Sequence, residues 1–367
     1  MTAPRLEIDL GKIHHNAQIL VQQLAVQGIA VMGVTKAVLG SAAIAKEMML
    51  AGVSGLGDSR IENIQSMRGS GIAAPLTMIR SPMLSQVAMV AEHADLSFHS
   101  EMRVIREMAA AAKILGKVHG VVLMVELGDL REGMSPQEVG QAVPQILKYP
   151  SLALKGIGTN LACFHGIIPD EKKMSELSTL ANHVESLLGF RLEMITGGNS
   201  ANLAWALSEA SLGRINHLRL GESILLGRET LHRQPLKGLF TNAITLVAEV
   251  IEAKIKPVQP WGQVAQAAFD GPPDISKATS PRRVIFALGR QDTDPSGLSP
   301  PRGCTILGAS SDHLVVDCGP HSYHVGSQMT FQLNYSALVC SMTSPFVAKV
   351  LRQRNQSSSK PMGKQAS

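Results

Sequence analysis

A lysine stands at the end of one of the most apolar runs in the chain. Lys36 follows Val31-Met32-Gly33-Val34-Thr35, a β-prone segment, so its amine should lie at the end of a buried strand. Desolvation lowers the pKa of an amine and makes it a nucleophile that can form a Schiff base with an aldehyde. From position alone, a lysine that reaches out to solvent is the more common arrangement.

Two glycine-containing turns later in the chain have the composition of a phosphate site. They are Thr196-Gly197-Gly198-Asn199-Ser200 and Leu220-Gly221-Glu222-Ser223. Glycines let the backbone approach a ligand closely, and the free N–H groups where a helix begins favour an anion. A single turn of this kind is weak evidence, but two of them strengthen the functional interpretation of Lys36.

Two arginines are candidates for ligand binding. Arg219, within His217-Leu218-Arg219-Leu220-Gly221, should be buried and needs an acceptor, which could belong to a structural ion pair. Arg131 lies in a glycine-bounded loop, where its planar guanidinium could hold a carboxylate. An ordinary surface arginine fits the position of Arg131 equally well.

These residues fall at regular places in a repeated pattern. Short β-rich runs alternate with segments of helical period such as Ala42–Ala51, Glu101–Leu115 and Glu171–Leu188. Eight such runs predict an α/β fold with a TIM (β/α)8 barrel, and an open doubly wound sheet is the alternative. The runs are Ala30–Thr35, Val53–Gly57, Leu76–Ile79, Leu96–Phe98, Val118–Val125, Leu154–Gly158, Leu192–Thr196 and Ile215–Leu220.

Residues directly after the strands of a barrel share one mouth. A ring of unlike polar groups at that mouth is typical of an active site, because a structural end needs only caps and turns. The ring consists of Lys36, Asp58, Ser59, Arg80, Ser81, His99, Ser100, Glu126, Arg131, Thr159, Asn160, Gly197–Ser200 and Arg219–Glu222.

Short strands separated by Pro and Gly turns follow the barrel and predict an all-β C-terminal domain. The predicted division is a barrel over residues 10–235, a β domain over 1–9 and 236–352, and a disordered tail over 353–367. The predicted strands of the β domain are Leu6–Asp9, Phe240–Ile251, Val284–Leu288, Gly303–Leu307, Leu314–Asp317 and Gln328–Leu333.

Composition excludes several classes of protein. With 45% apolar and 17% charged residues, the chain should fold on its own core. It has no apolar run long enough to span a membrane and no signal-peptide core, so we expect a cytoplasmic protein. The net charge of +5 is not clustered, which argues against a nucleic-acid partner. The cysteines Cys163, Cys304, Cys318 and Cys340 lack metal-binding spacing, so no metal is expected.

Several segments together resemble the ornithine racemase-like branch of the alanine racemase family, which are pyridoxal-phosphate enzymes of fold type III. The resemblance extends to about Val350. The segments that carry it are Gly33–Lys36, Gly57–Asn63, Leu127–Gly133, Gly158–Leu161, Gly197–Ser200, His217–Glu222, Gly289–Asp292 and Gly308–His313.

The resemblance implies an amino-acid racemase that binds pyridoxal 5'-phosphate as an imine on Lys36 and forms a head-to-tail homodimer. Arg219 would face the pyridine nitrogen, and Arg131 would hold the carboxylate of a small amino-acid substrate. The residues implied to bind the cofactor are Lys36, Asn160, Asn199, Ser200, Arg219, Gly221 and Glu222.

The resemblance also implies a mechanism. Lys36, freed by the substrate amine, would be the base on one face of the substrate. Because a guanidinium is not deprotonated, Arg219 would leave the ring nitrogen without a proton and so favour proton return over side reactions. The related decarboxylases of basic amino acids have a carboxylate at that place, which disfavours this alternative.

The sequence departs from the wider family at three places. The phosphate-binding tyrosine expected after the lysine is replaced by Gly40, and the usual carboxylated lysine is replaced by Met124. No tyrosine stands near Phe269-Asp270-Gly271, where the second base is expected. Asp292 and Asp312 are candidates for this second catalytic base, although either could be a turn carboxylate.

A basic amino acid such as ornithine or lysine is the expected substrate, with alanine or serine as alternatives. The cation at the end of a basic side chain would be stabilised by a carboxylate in the pocket, and Asp58 is the candidate. A non-catalytic homeostasis protein that binds pyridoxal phosphate is the remaining alternative, which the β domain argues against.

Overall fold

The computed structural model describes residues 2–257, 259–263, 265–266, 268–269 and 281–353. The chain begins with strand β1 (Arg5–Asp9) and helix α1 (Leu10–Val26), and eight parallel strands follow. Each of these strands pairs with the next and the last pairs with the first, which confirms the predicted barrel. They are β2 (Ala30–Val34), β3 (Gly55–Asp58), β4 (Leu76–Met78), β5 (Leu96–His99), β6 (His119–Met124), β7 (Leu152–Gly158), β8 (Met194–Gly198) and β9 (His217–Leu220).

The barrel strands are short and mostly covered on both faces, and every residue of β3, β4 and β6 is buried. Parallel strands between a packed interior and a layer of helices need such continuous apolar runs. Inside the barrel, a Cβ atom at Gly57 would lie 2.7 Å from both Met32 Sδ and Ile79 Cγ2. The glycine therefore allows these two side chains to fill the centre of the barrel.

Helices follow the strands and cover the barrel. Ser135 and Glu138 form a capping box where α6 begins, and α7 ends at Gly189, whose φ of 74° suits glycine. The helices are α2 (Ala42–Leu50), α3 (Ile61–Gly69), α4 (Val87–His93), α5 (Met102–Ile114), α6 (Pro136–Ile146), α7 (Glu171–Leu188), α8 (Leu203–Ala206) and α9 (Glu222–Leu226).

A second, mainly antiparallel sheet forms the C-terminal domain, as predicted. Its main path has the order β12-β15-β10-β11-β14-β13, and β1 joins it by pairing with β10. Phe286 and Phe331 meet edge to face in its core, with ring centroids 5.7 Å apart. The strands are β10 (Ile244–Ile255), β11 (Arg282–Ala287), β12 (Leu298–Ser299), β13 (Thr305–Ala309), β14 (His313–Asp317), β15 (Gln328–Leu333) and β16 (Ala348–Arg352).

One helix of this domain, α10 (Tyr335–Thr343), was not predicted. It begins at Asn334, whose side-chain oxygen accepts a hydrogen bond from the backbone N–H of Ala337 at 2.9 Å. The helix packs against the turn of residues 36–38, directly after β2. The β domain therefore reaches the mouth of the barrel at the position of Lys36.

Hydrogen bonds to one residue of α1 fix the segment in which the chain passes from the barrel to the second sheet. The side chain of Asn16 is buried, donates to the carbonyls of Ile224 and Phe240, and accepts from the N–H of Phe240 at 2.7 Å. Because these bonds hold Phe240 in a loop, strand β10 begins four residues later than the sequence pattern predicts.

No helix in the described part of the chain is long and apolar enough to cross a membrane. Residues 354–367, most of the predicted tail, lie outside the described residues.

Candidate active site

A cavity of about 600 Å³ lies at the carboxyl ends of the barrel strands, where the sequence predicts the site. Apolar and polar side chains from seven of the eight barrel strands or their loops line it, together with one residue of α10. The lining residues are Val34, Lys36, Ala37, Ser59, Ile79, Arg80, Ser81, Met124, Arg131, Glu132, Asn160, Ala162, Cys163, Asn199, Ser200, Arg219, Gly221, Glu222, Thr230, Arg233 and Tyr335.

Lys36 is the amine of this cavity. It begins a short 3-10 turn after β2, and its side chain is accessible to solvent through the cavity. The surrounding walls nevertheless desolvate the amine and lower the pKa of Lys36 below its ordinary value, and Arg131 lowers it further, against an opposing effect of Cys163 and Asp58. A larger share of neutral amine at neutral pH favours both nucleophilic attack and proton abstraction.

Asp58 lies close to Lys36 but not on the cavity wall. Its carboxylate accepts hydrogen bonds from Thr35 Oγ1 at 2.7 Å, the Arg60 N–H at 2.9 Å and Asn63 Nδ2 at 3.0 Å. The side chain is fully buried, and this burial raises the pKa of Asp58 despite the hydrogen bonds. The contacts hold the β2 and β3 turns together, so they lend no support to the prediction that Asp58 receives a substrate cation.

The two glycine turns meet each other beside Lys36. The hydroxyls of Ser200 and Ser223 are 3.0 Å apart, and Ser200 Oγ also accepts from the Ser223 N–H at 3.3 Å. A Cβ atom at Gly221 would lie 3.1 Å from Val34 Cβ, so the backbone there packs tightly against β2. The Ser200 hydroxyl and a bare backbone turn on the cavity wall, with Ser223 behind them, form a suitable cradle for a phosphate.

Arg219 lies on the floor of the cavity and is 5% exposed, so it must find partners inside the barrel. It donates to Thr196 Oγ1 at 2.5 Å, the Thr159 carbonyl at 2.7 Å and Asn160 Oδ1 at 3.3 Å. Its Cζ atom lies 5.1 Å from the centroid of the Phe98 ring. These three bonds leave two of its five N–H groups for a ligand.

No carboxylate pairs with Arg219 among these contacts. Burial lowers the pKa of Arg219 to about 10, which still leaves the guanidinium charged at neutral pH. The Arg219 side chain therefore presents hydrogen-bond donors and no acceptor to the cavity. A ring nitrogen bound here would therefore accept a hydrogen bond and remain without its own proton.

Asn160 and Asn199 connect Arg219 to the cradle proposed for the phosphate. Asn199 Nδ2 donates to Asn160 Oδ1 at 3.1 Å, and the side chain of Asn199 accepts from the Ala201 N–H at 2.8 Å. The Nδ2 atom of Asn160 is buried without a hydrogen-bond partner, as is Nη2 of Arg80. Unsatisfied buried donors on a cavity wall are what a bound group with acceptor atoms would satisfy. The residues present thus fit pyridoxal phosphate, with an amine, a phosphate cradle and donors between them.

Arg131 stands on the cavity wall, in the loop after β6. Its Nε and Nη2 atoms bond to the two carboxylate oxygens of Glu132, and Nη1 lies 2.6 Å from Cys163 Sγ. Its backbone N–H donates to Glu126 Oε2 at 3.3 Å, which helps to order the loop. The planar fork of this guanidinium suits a substrate carboxylate, and here Glu132 occupies the Nε and Nη2 edge of that fork.

A single carboxylate fixes the loop that carries Cys163. Asp129 is 1% exposed and accepts from the backbone N–H groups of Cys163, Phe164, His165 and Ile167 at 2.9 to 3.3 Å. Burial alone would raise the pKa of Asp129, but the four donors hold it below its ordinary value. Asp129 therefore ties the loop after β7 to the loop that carries Arg131.

Asp129→Asn should lower the free energy of unfolding by about 1 to 3 kcal/mol at neutral pH, because an amide offers one acceptor oxygen in place of two charged ones. Since the folded-state pKa is lowered, the stabilisation is present above the ordinary Asp value of about 3.9 and is lost as the pH falls through the folded-state pKa. Urea unfolding at neutral and acid pH measures both effects. Asp170→Asn is the control, because Asn and Asp are equal N-caps. Equal stability of Asp129→Asn and the unsubstituted chain at neutral pH would contradict the role of Asp129.

The structure does not bring Asp292 and Asp312 to this cavity. Gly289 N donates to Asp292 Oδ2 at 2.9 Å within a turn, and Asp312 is exposed and pairs with His313 at 2.8 Å. The two segments do meet, because the Gln291 N–H donates to the Ser311 carbonyl at 2.9 Å. Among the described residues, therefore, neither of the two candidates for the second base lines this cavity.

Several cavity residues were missed by the sequence analysis. Tyr335 was missed because α10 was not predicted, and burial raises the pKa of its hydroxyl. Glu132, Cys163, Thr230 and Arg233 lie in loops whose direction the strand pattern does not determine. The one available signal was Asn334, a good N-cap three residues before the backbone donor of Ala337.

Comparisons with known proteins agree with this geometry. The sequence profile of the alanine racemase N-terminal domain matches residues 8–229. An ornithine racemase of Acetoanaerobium sticklandii is 35% identical over 353 residues, covering 95% of this chain and 99% of that protein. A lysine racemase of Thermotoga maritima is 36% identical, with the same coverage of both chains.

Solved structures with the same fold are more distant in sequence. The alanine racemase of Streptomyces coelicolor A3(2) superposes with a TM-score of 0.73 at 18% identity, over 95% of this chain and 97% of that chain. The D-threonine aldolase of Filomicrobium marinum gives 0.70 at 16% identity, over 93% and 88% of the two chains. At this level of identity the likeness concerns the barrel and the β domain as a fold.

Proposed function

The chain belongs to the alanine racemase family, and on that basis we propose that it is a pyridoxal-phosphate-dependent racemase of a basic amino acid such as ornithine or lysine. The observation that carries this proposal is one cavity with a desolvated amine, a serine-lined turn and an arginine that can only donate. The ornithine and lysine racemases that it resembles over nearly their full length support the reaction and the substrate class.

Five of the cavity residues have distinct roles in this proposal. When bound, pyridoxal phosphate withdraws electrons from the substrate Cα and so allows its proton to leave. Lys36 holds the cofactor and then takes or returns that proton at Nζ on one face. Ser200 and the turn at Gly221 hold the phosphate, and Arg219 keeps the ring nitrogen unprotonated. Arg131 orients the substrate through its carboxylate.

The second face of the substrate needs a second proton donor, since racemisation requires removal on one face and return on the other. Asp292 and Asp312 lie together on the β domain but away from the cavity of their own subunit. We propose that these carboxylates serve the site of a second subunit in a head-to-tail dimer. In that arrangement the raised pKa of Asp292, caused by burial, would let it carry a proton at neutral pH more readily than an ordinary carboxyl.

The proposed reaction is tested by incubating the purified protein with pyridoxal phosphate and single L-amino acids in D2O. We expect optical rotation to be lost with ornithine or lysine, and deuterium to enter at Cα in the same proportion. Rotation is lost because a proton returns on the opposite face of Cα, and deuterium enters because the abstracted proton exchanges with solvent before it returns. Chiral chromatography and mass spectrometry measure the two quantities. Release of carbon dioxide would show a decarboxylase instead, and unchanged substrate with bound cofactor would show a binding protein.

A further inference from the structure

The charges on the cavity wall are unequal. Among the cavity-lining residues that the structure describes, five are cationic and two carry carboxylates, namely Glu132 and Glu222. A substrate with a cationic side chain must place its ammonium near a carboxylate, because a second cation close to an arginine costs free energy in a partly desolvated site. The two glutamates are therefore the candidates for recognising that ammonium.

Glu222 already has a partner and a position that argue against this role. Its carboxylate forms an ion pair with Arg233, and its backbone follows Gly221 in the phosphate cradle. Burial raises the pKa of Glu222 and Arg233 opposes this shift only in part, but the ion pair already gives the carboxylate a cationic partner without substrate. Asp58, the residue first predicted, is fully buried and accepts three hydrogen bonds within the protein. Glu132 is the remaining candidate.

Glu132 lies where it can exchange partners. Its side chain is 25% exposed, and its two oxygens bond to the Nε and Nη2 atoms of Arg131 in the two-bond geometry of an arginine and a carboxylate. The α-carboxylate of an amino acid would bind the same edge of Arg131. Substrate binding must therefore either use a poorer face of Arg131 or move Glu132 aside.

We propose that the substrate α-carboxylate replaces Glu132 on Arg131, and that the displaced Glu132 accepts the terminal ammonium of the same substrate. This inference rests on the proposed function and adds a residue that determines specificity. Each charge keeps a partner in the exchange, because one carboxylate enters on Arg131 as one ammonium reaches Glu132. An uncharged substrate would leave Glu132 without a partner in a partly desolvated cavity, and this penalty disfavours such substrates.

The test compares kcat/KM for ornithine, lysine and norleucine, an uncharged amino acid of similar length to ornithine. In E132Q we expect kcat/KM for ornithine to fall about 10- to 100-fold, mainly through KM, because the charged acceptor is lost. Racemisation of norleucine should be unchanged or faster. In E132D the shorter arm should shift the preference from ornithine toward the longer lysine.

The matched control is E176Q, which removes an exposed carboxylate of α7 that pairs with Lys173 outside the cavity. It should leave all three kcat/KM values unchanged. A preference for ornithine over norleucine that survives in E132Q would overturn the role of Glu132. An equal loss of kcat/KM for all three substrates would also overturn it, because Glu132 would then position Arg131 rather than recognise the substrate side chain. If E132Q does not fold, the test is the ratio of kcat/KM for lysine to kcat/KM for ornithine in E132D. A ratio equal to that of the unsubstituted enzyme counts against the proposal.

The failure of this inference can be told apart from failure of the proposed function. If the unsubstituted enzyme racemises ornithine and norleucine equally well, the function stands and Glu132 has no part in specificity. If it racemises no amino acid while pyridoxal phosphate is bound, the proposed function is wrong and the exchange falls with it.

Discussion

Lys36→Ala should abolish racemisation, with a loss in rate of about 10³-fold or more, because the substitution removes a proton-transferring group along with the cofactor's attachment point. It should also remove the visible absorbance of pyridoxal phosphate joined covalently to the protein. No other lysine lines the cavity among the described residues, so none can replace Lys36 there. Steady-state racemisation and an absorbance spectrum of the dialysed protein measure the two effects.

Lys155→Ala is the matched control, since Lys155 lies on β7 and pairs with Glu193 outside the cavity. It should retain both the activity and the spectrum. If Lys36→Ala kept the covalent absorbance band, another lysine would carry the cofactor and the assignment of this cavity would be wrong.

Arg219→Glu should lower the rate of racemisation by about 10²- to 10³-fold and raise the share of turnovers that end in a keto acid. A carboxyl group at this place can share a proton with the pyridine nitrogen, whereas the guanidinium can only donate a hydrogen bond. A protonated ring withdraws electrons more strongly, which favours return of the proton to an atom other than the substrate Cα and so leads to the keto acid. Product analysis by chromatography gives the ratio of D-amino acid to keto acid.

Arg219→Lys serves as the control for Arg219→Glu, because it keeps a positive donor near Thr196 and Asn160 although it loses the planar fork. It should lose rate without gaining keto acid. An unchanged product ratio in a folded Arg219→Glu protein that still binds the cofactor would contradict the role given to Arg219.

The barrel was predictable because its strands are covered on both faces. Strand β6 agrees with its predicted run to within one residue at each end, since a continuous apolar run bounded by polar residues has few other solutions. The position of Lys36 and of both glycine turns at one mouth followed from the same pattern, because all loops after parallel barrel strands open on one side.

The side-chain directions at the mouth were less predictable. Asp58 follows β3 as an active-site residue would, but its carboxylate bonds to Thr35 and Asn63 instead of facing the cavity. Glu132 is adjacent to Arg131 in sequence, and no periodic pattern says which of two neighbouring loop residues faces a ligand. Such choices depend on contacts that only the folded chain supplies.

The contribution of the β domain to the cavity was the least predictable part. Tyr335 reaches the mouth because α10 packs against the turn after β2, and residues 335 and 36 are far apart in sequence. The strand pattern predicted a sheet for this region and gave no reason for a helix within it. The resemblance to a known family implied a head-to-tail homodimer but did not identify this tyrosine.

The most direct test of the central claim is to reduce the protein with borohydride in the presence of pyridoxal phosphate, digest it and locate the modified residue by mass spectrometry. We predict a single pyridoxyl-phosphate adduct on the Nζ atom of Lys36, because the cradle at Ser200 and Gly221 holds the phosphate beside that amine. An adduct on any other lysine, or none at all with the phosphate-binding residues intact, would contradict it.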